Sequence, residues 1–170
     1  MGAWENSMTP NADANTLYFT FGLGAESYGL NVQYIREVLN KEKITPVPRT
    51  ESYMKGIMNV RGAVIPVIDF RTLFHIETNL QNTEYSIVVT EYIKDDQPPL
   101  IFGFIADRVE GVNTLDSDSV SVQNSKELSA MNSNFIKKIG KIADQFILLL
   151  DIEQIIGFIE EDLEQKTKTV

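Results

Sequence analysis

Gly56-Ile57-Met58-Asn59-Val60-Arg61-Gly62-Ala63-Val64-Ile65-Pro66-Val67-Ile68-Asp69-Phe70-Arg71 is the most informative segment of the chain. Two apolar runs, Ile57 to Val60 and Ala63 to Phe70, flank Arg61-Gly62. Gly62 can take the positive φ that a tight hairpin connection demands, so the segment reads as a β-hairpin with Arg61 at its tip. Pro66 lacks an amide proton, which puts its strand at a sheet edge or at a bulge. A rigid apolar hairpin that holds out a guanidinium suits recognition better than chemistry. Spacing alone leaves open an ordinary hairpin with a solvated turn arginine.

Working outward on the N-terminal side, Leu17, Phe19, Phe21 and Leu23 alternate with Tyr18, Thr20 and Gly22, the pattern of a strand with one buried face. Gly24 to Ser27 reads as a turn and Tyr28 to Val32 as the returning strand, with Gly29 at a bulge or sharp bend. Val32 to Leu39 reads as a helical turn that runs into a strand. Thr45-Pro46-Val47-Pro48 is extended, because each proline disfavours helix at the residue before it. Thr50 to Lys55 is expected to form a short helix ended by Gly56.

On the C-terminal side, Asp69 is placed to cap a turn through Phe70 to Phe74. The polar run Glu77 to Glu84 marks a boundary between two halves. Strands are expected at Tyr85 to Ile93, at Leu100 to Ala106 with Gly103 as a second bend, and at Val109 to Val112. Asp116 to Asn134 reads as a long surface connection. Phe135 to Ile142 and Gln145 to Leu150 form a last hairpin turning at Ala143-Asp144. The period then changes. Asp151 caps a helix with Gln154 as capping-box partner, and Ile152, Ile155, Ile156, Ile159 and Leu163 form one apolar stripe. Many short strands with one terminal helix indicate a mainly β protein of small barrels.

Composition narrows the function. The 170 residues are 43% hydrophobic and 23% charged, as in an ordinary globular protein. A net charge of −9 argues against nucleic acid and against anionic membranes. Lys137, Lys138 and Lys141 read as a solvated strand edge. There is no cysteine, hence no disulfide framework or thiolate site, and His75 is the only histidine, so zinc has no ligand set. No apolar run is long enough to cross a bilayer, and Met1 to Met8 lacks the features of a signal peptide. Residues 1–14 are expected to be a disordered leader.

Catalytic candidates are weak. Ala25-Glu26-Ser27-Tyr28-Gly29 has a faint likeness to a nucleophile elbow, but that motif needs a strand–turn–helix and Ser27 lies between two strands. Gly22-Leu23-Gly24 opens no helix. Asp116-Ser117-Asp118 begins a calcium-loop pattern without glycine at its sixth position. Asp107-Arg108 and Asp95-Asp96 have no evident partners.

From about Leu17 to about Phe158 the sequence resembles the CheW-like family, the coupling proteins of bacterial chemotaxis arrays. The resemblance is carried by Asn59-x-Arg61-Gly62 followed by Ile65-Pro66-Val67-Ile68-Asp69-Phe70-Arg71. Tyr28-Gly29-Leu30 with Ile35-Arg36-Glu37-Val38, and Asp107-Arg108-Val109-Glu110-Gly111-Val112, add two further elements in the right order. Phe70 stands where Leu is more usual, which is expected to alter packing and not function.

The resemblance implies two side-by-side five-stranded SH3-like β-barrels with a short C-terminal α-helix. The barrels would cover approximately residues 15–80 and 81–150, with strand exchange between them allowed. The CheW-like domain would span 15–158, with the helix at 151–164 and a frayed tail at 165–170. It also implies a cytoplasmic adaptor that is not an enzyme, needs no cofactor and is recruited to membrane-associated chemoreceptor arrays. The partners it implies are the regulatory domain of the histidine kinase CheA and the cytoplasmic tip of a chemoreceptor, with ring assembly through CheA or through the chain itself. The receptor tip would lie in a groove between the barrels. Carried over by position, the receptor-binding residues are Ile35, Glu37, Gly56, Arg61, Gly62, Val109 and Val112. Ile35, Val109 and Val112 would be apolar anchors, with Glu37 and Arg61 on a polar rim. The family also has versions fused to a phosphorylated receiver, a pattern not visible in this sequence, and no further domain is expected after Val170. A CheW-like adaptor in a non-chemotactic kinase pathway, or a small hydrolase using Ser27, are the alternatives.

Overall fold

The computed structural model describes residues 16–76, 84–115, 120–121 and 134–168. The expected leader, most of the polar run from Glu77, the calcium-loop pattern at Asp116 to Asp118 and most of the 116–134 connection lie outside them.

The strands are β1 (Tyr18–Leu23), β2 (Glu26–Asn31), β3 (Ile35–Asn40), β4 (Met54–Val60), β5 (Ala63–Ile68), β6 (Ser86–Tyr92), β7 (Leu100–Ala106), β8 (Arg108–Asn113), β9 (Val120–Ser121), β10 (Ile136–Ile142) and β11 (Gln145–Leu150). A 3-10 turn (Val32–Tyr34) precedes β3, as the mixed periodicity there predicts, and two α-helices, α1 (Phe70–Leu73) and α2 (Ile152–Lys168), follow β5 and β11. One sheet has the order β3-β6-β7-β5-β4, and the other β8-β1-β2-β11-β10-β9. The mainly β expectation holds, and the second sheet exceeds five strands because β9 adds two residues to β10.

The five-stranded sheet curls back on itself. Thr45, just past β3, bridges to Ile57 on β4, with hydrogen bonds of 2.8 and 2.9 Å. The two ends of the strand order are thereby brought together around Met58, Ile65, Val67, Ile87, Val89 and Ile105. Gly56 lies at the bulge that opens β4. A Cβ there would run into the Thr45 carbonyl, so the close approach of Thr45 depends on glycine.

The chain forms two compact units from interleaved segments. One takes residues 19–27 and 31–112; the other takes 28–30 and the described residues up to 18 and from 113 on. Near residue 80, where the sequence suggests a boundary, β6 and β7 pair with β3 and β5 and share their unit. Long-range strand pairing outweighs local polarity in setting these groupings. The first unit also holds an aromatic stack in which Phe104 lies 4.6 Å from Phe70 and 4.9 Å from Phe21, centroid to centroid. Phe70 is fully buried there. In the other unit Tyr18, Leu115, Ile147 and Leu149 form a cluster.

Hairpins β4–β5 and β10–β11 are built alike. Each begins with a bulge, at Met54/Gly56 and at Ile136/Lys138. Each turns through a left-handed residue, Arg61 with φ 52° and Ala143 with φ 54°. Each ends on an aspartate whose amide donates back to the residue before the hairpin, Asp69 to Tyr53 O at 2.7 Å and Asp151 to Phe135 O at 2.8 Å. Each aspartate then caps a helix, accepting from Arg71 N at 2.9 Å and from Gln154 N at 3.3 Å. Ile152, Ile155, Ile156 and Ile159 of α2 are buried, while Glu153, Glu160, Glu161 and Glu164 are exposed, as the stripe predicts.

Several local expectations differ from the structure. β1 is buried on both faces, since Tyr18 and Thr20 are as enclosed as Phe19 and Phe21. Residues 50–55 form turns and the start of β4 instead of a helix, because the Thr45 bridge and the bulge draw this segment into the sheet. Gly29 and Gly103 sit in regular register opposite Leu149 and Val67, and no bend is needed at either. β5 is not an edge strand, but its pairing with β7 begins at Val67, just past Pro66. The missing proline donor therefore leaves no gap in that ladder. Helix α2 runs to Lys168, beyond the expected end at 164.

Candidate functional site

The hairpin tip is a two-residue connection with positive φ at both positions, 52° at Arg61 and 89° at Gly62, flanked by the Val60–Ala63 pair. This is the geometry of a type I′ turn, whose twist matches that of the strands it joins. Asn59 fixes it from below, its Oδ1 accepting from Gly62 N at 2.9 Å. Nothing lies within 4 Å of where a Gly62 Cβ would stand, so glycine is needed there for its backbone conformation and not for space.

Arg61 projects from this tip with 83% of its side chain exposed. It meets Glu37 on β3 through two parallel bonds, Nε to Oε1 at 3.3 Å and Nη2 to Oε2 at 3.1 Å. A fork of this kind fixes the plane of the guanidinium as well as its position. The neighbouring Arg36 turns the other way, to Glu91 at 3.3 Å. Arg36, Glu37, Val60, Arg61, Ala63 and Val89 line a cleft of about 450 Å³. Exposed Val38 on β3 and Val64 on β5 add apolar surface to the same elements.

The structure therefore joins Glu37, Arg61 and Gly62. Ile35 opens the same strand as Glu37 and is half-buried, paired with Thr90. Gly56 is buried at the β4 bulge and acts on the sheet, not on the surface. Val109 and Val112 are exposed, but on β8, in the other sheet. Ser27 is 1% exposed on β2, and its hydroxyl donates to Glu110 at 2.8 Å. It lies within a strand and not on the strand–turn–helix that an elbow nucleophile needs.

One charged cluster was not foreseen. Arg71 grips Asp69 through Nε at 2.9 Å and Nη2 at 3.0 Å, and reaches Asp107 through Nη1 at 2.8 Å. Asp107 also accepts from Gly24 N at 2.6 Å. Arg108 donates to Gly24 O at 2.7 Å and pairs with Glu110 at 3.2 Å. Asp107 and Arg108, which lack evident partners in the sequence, are thus fully engaged. The side chains of Asp69, Arg71 and Asp107 are 8%, 17% and 10% exposed. Burial alone would push the Asp69 carboxyl up, but the hydrogen bonds and charge of Arg71 outweigh it and hold Asp69 below the usual carboxylate range. Hydrogen bonding to Asp69 pushes the Arg71 guanidinium up in turn, against the effect of its own burial. A signal for this cluster existed: charged residues that abut fully apolar runs, as Asp69 and Asp107 do, must find partners when the runs are buried.

The profile of the CheW-like domain matches residues 17–160. The chain is 31% identical over 140 residues to the chemotaxis protein CheW of Helicobacter pylori, covering 82% of this chain and 80% of that one. It is 30% identical over 138 residues to the chemotaxis protein CheW of Thermotoga maritima, covering 81% and 85%. Among solved structures, the scaffolding protein TtCheW from Thermoanaerobacter tengcongensis aligns with a TM-score of 0.66 at 28% identity, over 80% of this chain and 84% of that one.

Proposed function

The chain belongs to the CheW-like family, and on that footing we propose that it is a non-catalytic chemotaxis adaptor that couples the cytoplasmic tip of a chemoreceptor to the regulatory domain of CheA. The observation that carries this reading is the exposed Arg61–Glu37 fork on a type I′ tip, with Val60 and Ala63 lining the cleft beside it. A receptor tip is a helical hairpin, and docking it calls for apolar contact framed by fixed polar groups. The tip presents such a frame already organised, so binding orders few side chains. Ile35, Glu37, Arg61 and Gly62 would serve on this face and Val109 and Val112 on β8, while Gly56 supports the face from behind. Among the described residues no helix is long and apolar enough to cross a membrane. On the adaptor reading, recruitment to a membrane-associated array would run through the receptor, with the chain working in the cytoplasm.

The test is Arg61→Glu, titrated with a receptor-tip fragment. Reversing the charge sets two carboxylates against each other at the rim and should weaken binding by at least about tenfold. Unchanged binding would remove Arg61 from the docking face.

A further inference from the structure

The proposed docking residues fall on two sheets of one unit, Glu37 and Arg61 on the five-stranded sheet and Val109 and Val112 on β8 of the other. One cluster spans that division. Arg71 leaves the end of the hairpin whose tip is Arg61 and binds Asp107, the residue before β8. Asp107 is held again from its other oxygen by Gly24 N and from its own amide by Gly22 O at 2.9 Å. Past it, Arg108 lies across Gly22, and Gly111 O accepts from Thr20 at 3.1 Å.

We infer that Arg71 is a positioning residue for the docking surface: its guanidinium ties the start of β8, and with it Val109 and Val112, to the hairpin that carries Arg61. This rests on the adaptor reading for its functional consequence, though not for its structural one. The chemistry favours such a role. A bidentate Arg–carboxylate pair fixes orientation, and the third bond to Asp107 passes that orientation to β8. β8 needs such an anchor, since it is an edge strand paired only with β1 and exposed over much of its length. Edge strands with solvent-facing hydrogen bonds open most readily.

The experiment measures amide hydrogen exchange on the full chain and titrates the same samples with a receptor-tip fragment. Asp107→Asn leaves the Asp69–Arg71 pair intact, but an amide has one acceptor oxygen and cannot serve both Arg71 and Gly24. Arg71→Gln removes the tie altogether. In both variants residues 108–113 should exchange at least about tenfold faster, with the β10–β11 hairpin unchanged and fragment binding weakened by a similar factor. If Arg71→Gln does not fold, Asp107→Asn decides alone. The inference is overturned if β8 keeps its protection, if all strands exchange faster by the same factor, or if binding persists undiminished with β8 loosened. Should the unaltered chain fail to bind the fragment, the adaptor reading falls, and the exchange measurement still decides what Arg71 holds.

Discussion

Replacing Gly56 with alanine should be among the most damaging single-methyl changes in this chain. The new Cβ would lie 2.8 Å from the Thr45 carbonyl carbon and 2.9 Å from Ile44 Cγ2, and would collide with the Thr45 oxygen. Neither neighbour is the free end of a flexible side chain. The Thr45 carbonyl accepts from Ile57 N, and Thr45 N donates to Ile57 O, so retreat breaks the bridge that closes the sheet. Two such bonds contribute about 1–3 kcal/mol together. Holding alanine at φ +150° adds strain of order 1–3 kcal/mol. Gly56→Ala should therefore lose about 2–6 kcal/mol, against a total of about 5–15 kcal/mol for a typical domain. Gly62→Ala is the control: it meets no atom, needs only a left-handed backbone, and should lose about 1–2 kcal/mol. Urea unfolding of the three proteins reads the difference. A Gly56→Ala midpoint at or above that of Gly62→Ala would refute the reasoning, because backbone approach at Thr45 would then not be what requires glycine.

Three other outcomes are expected. Arg61→Glu should change unfolding free energy by less than about 1 kcal/mol, since an ion pair with one partner so exposed contributes little, and a larger loss by chemical denaturation would make the fork structural. Asp69 titrates lower in the folded chain than in the unfolded one, so its contribution is complete above the unfolded value of about 3.9 and is lost as pH falls through the folded value. Asp69→Asn should flatten that part of the stability–pH curve below about pH 4, and an unchanged acid limb would contradict the pairing. Asp151→Ala removes the cap of α2 and should cost about 1 kcal/mol, read as a melting temperature lower by about 2–4 °C.

The elements legible in the sequence are those set by local chemistry. Arg61-Gly62 between two apolar runs reads as a tight turn, and the structure has it there. Asp69 and Asp151 stand before helices with the spacing that caps require, and both cap. The 3-10 turn at Val32–Tyr34 followed by β3 is visible because one segment carries both periodicities. What sequence reading missed is non-local. The bridge that abolishes the expected helix at 50–55 pairs residues twelve apart through two prolines. The grouping of β6 and β7 with β3 and β5 crosses the polar run that looked like a boundary. The Arg71–Asp107 bond joins residues 36 apart; the apolar runs beside Asp69 and Asp107 call for partners, but no local pattern says which. The candidate face was legible as residue types, from the hairpin and from the family resemblance. Its geometry, with Glu37 forked onto Arg61 and the two valines of β8 on another sheet, was not.

The measurement that bears most directly on an adaptor is simultaneous occupancy. The full chain would be saturated with the purified regulatory domain of CheA and then titrated calorimetrically with the receptor-tip fragment. The adaptor reading predicts a ternary complex, with the fragment binding the preloaded chain about as tightly as the free one, and with Arg61→Glu weakening only the second step. Mutually exclusive binding, or binding of neither partner by a chain shown to be folded, would contradict it.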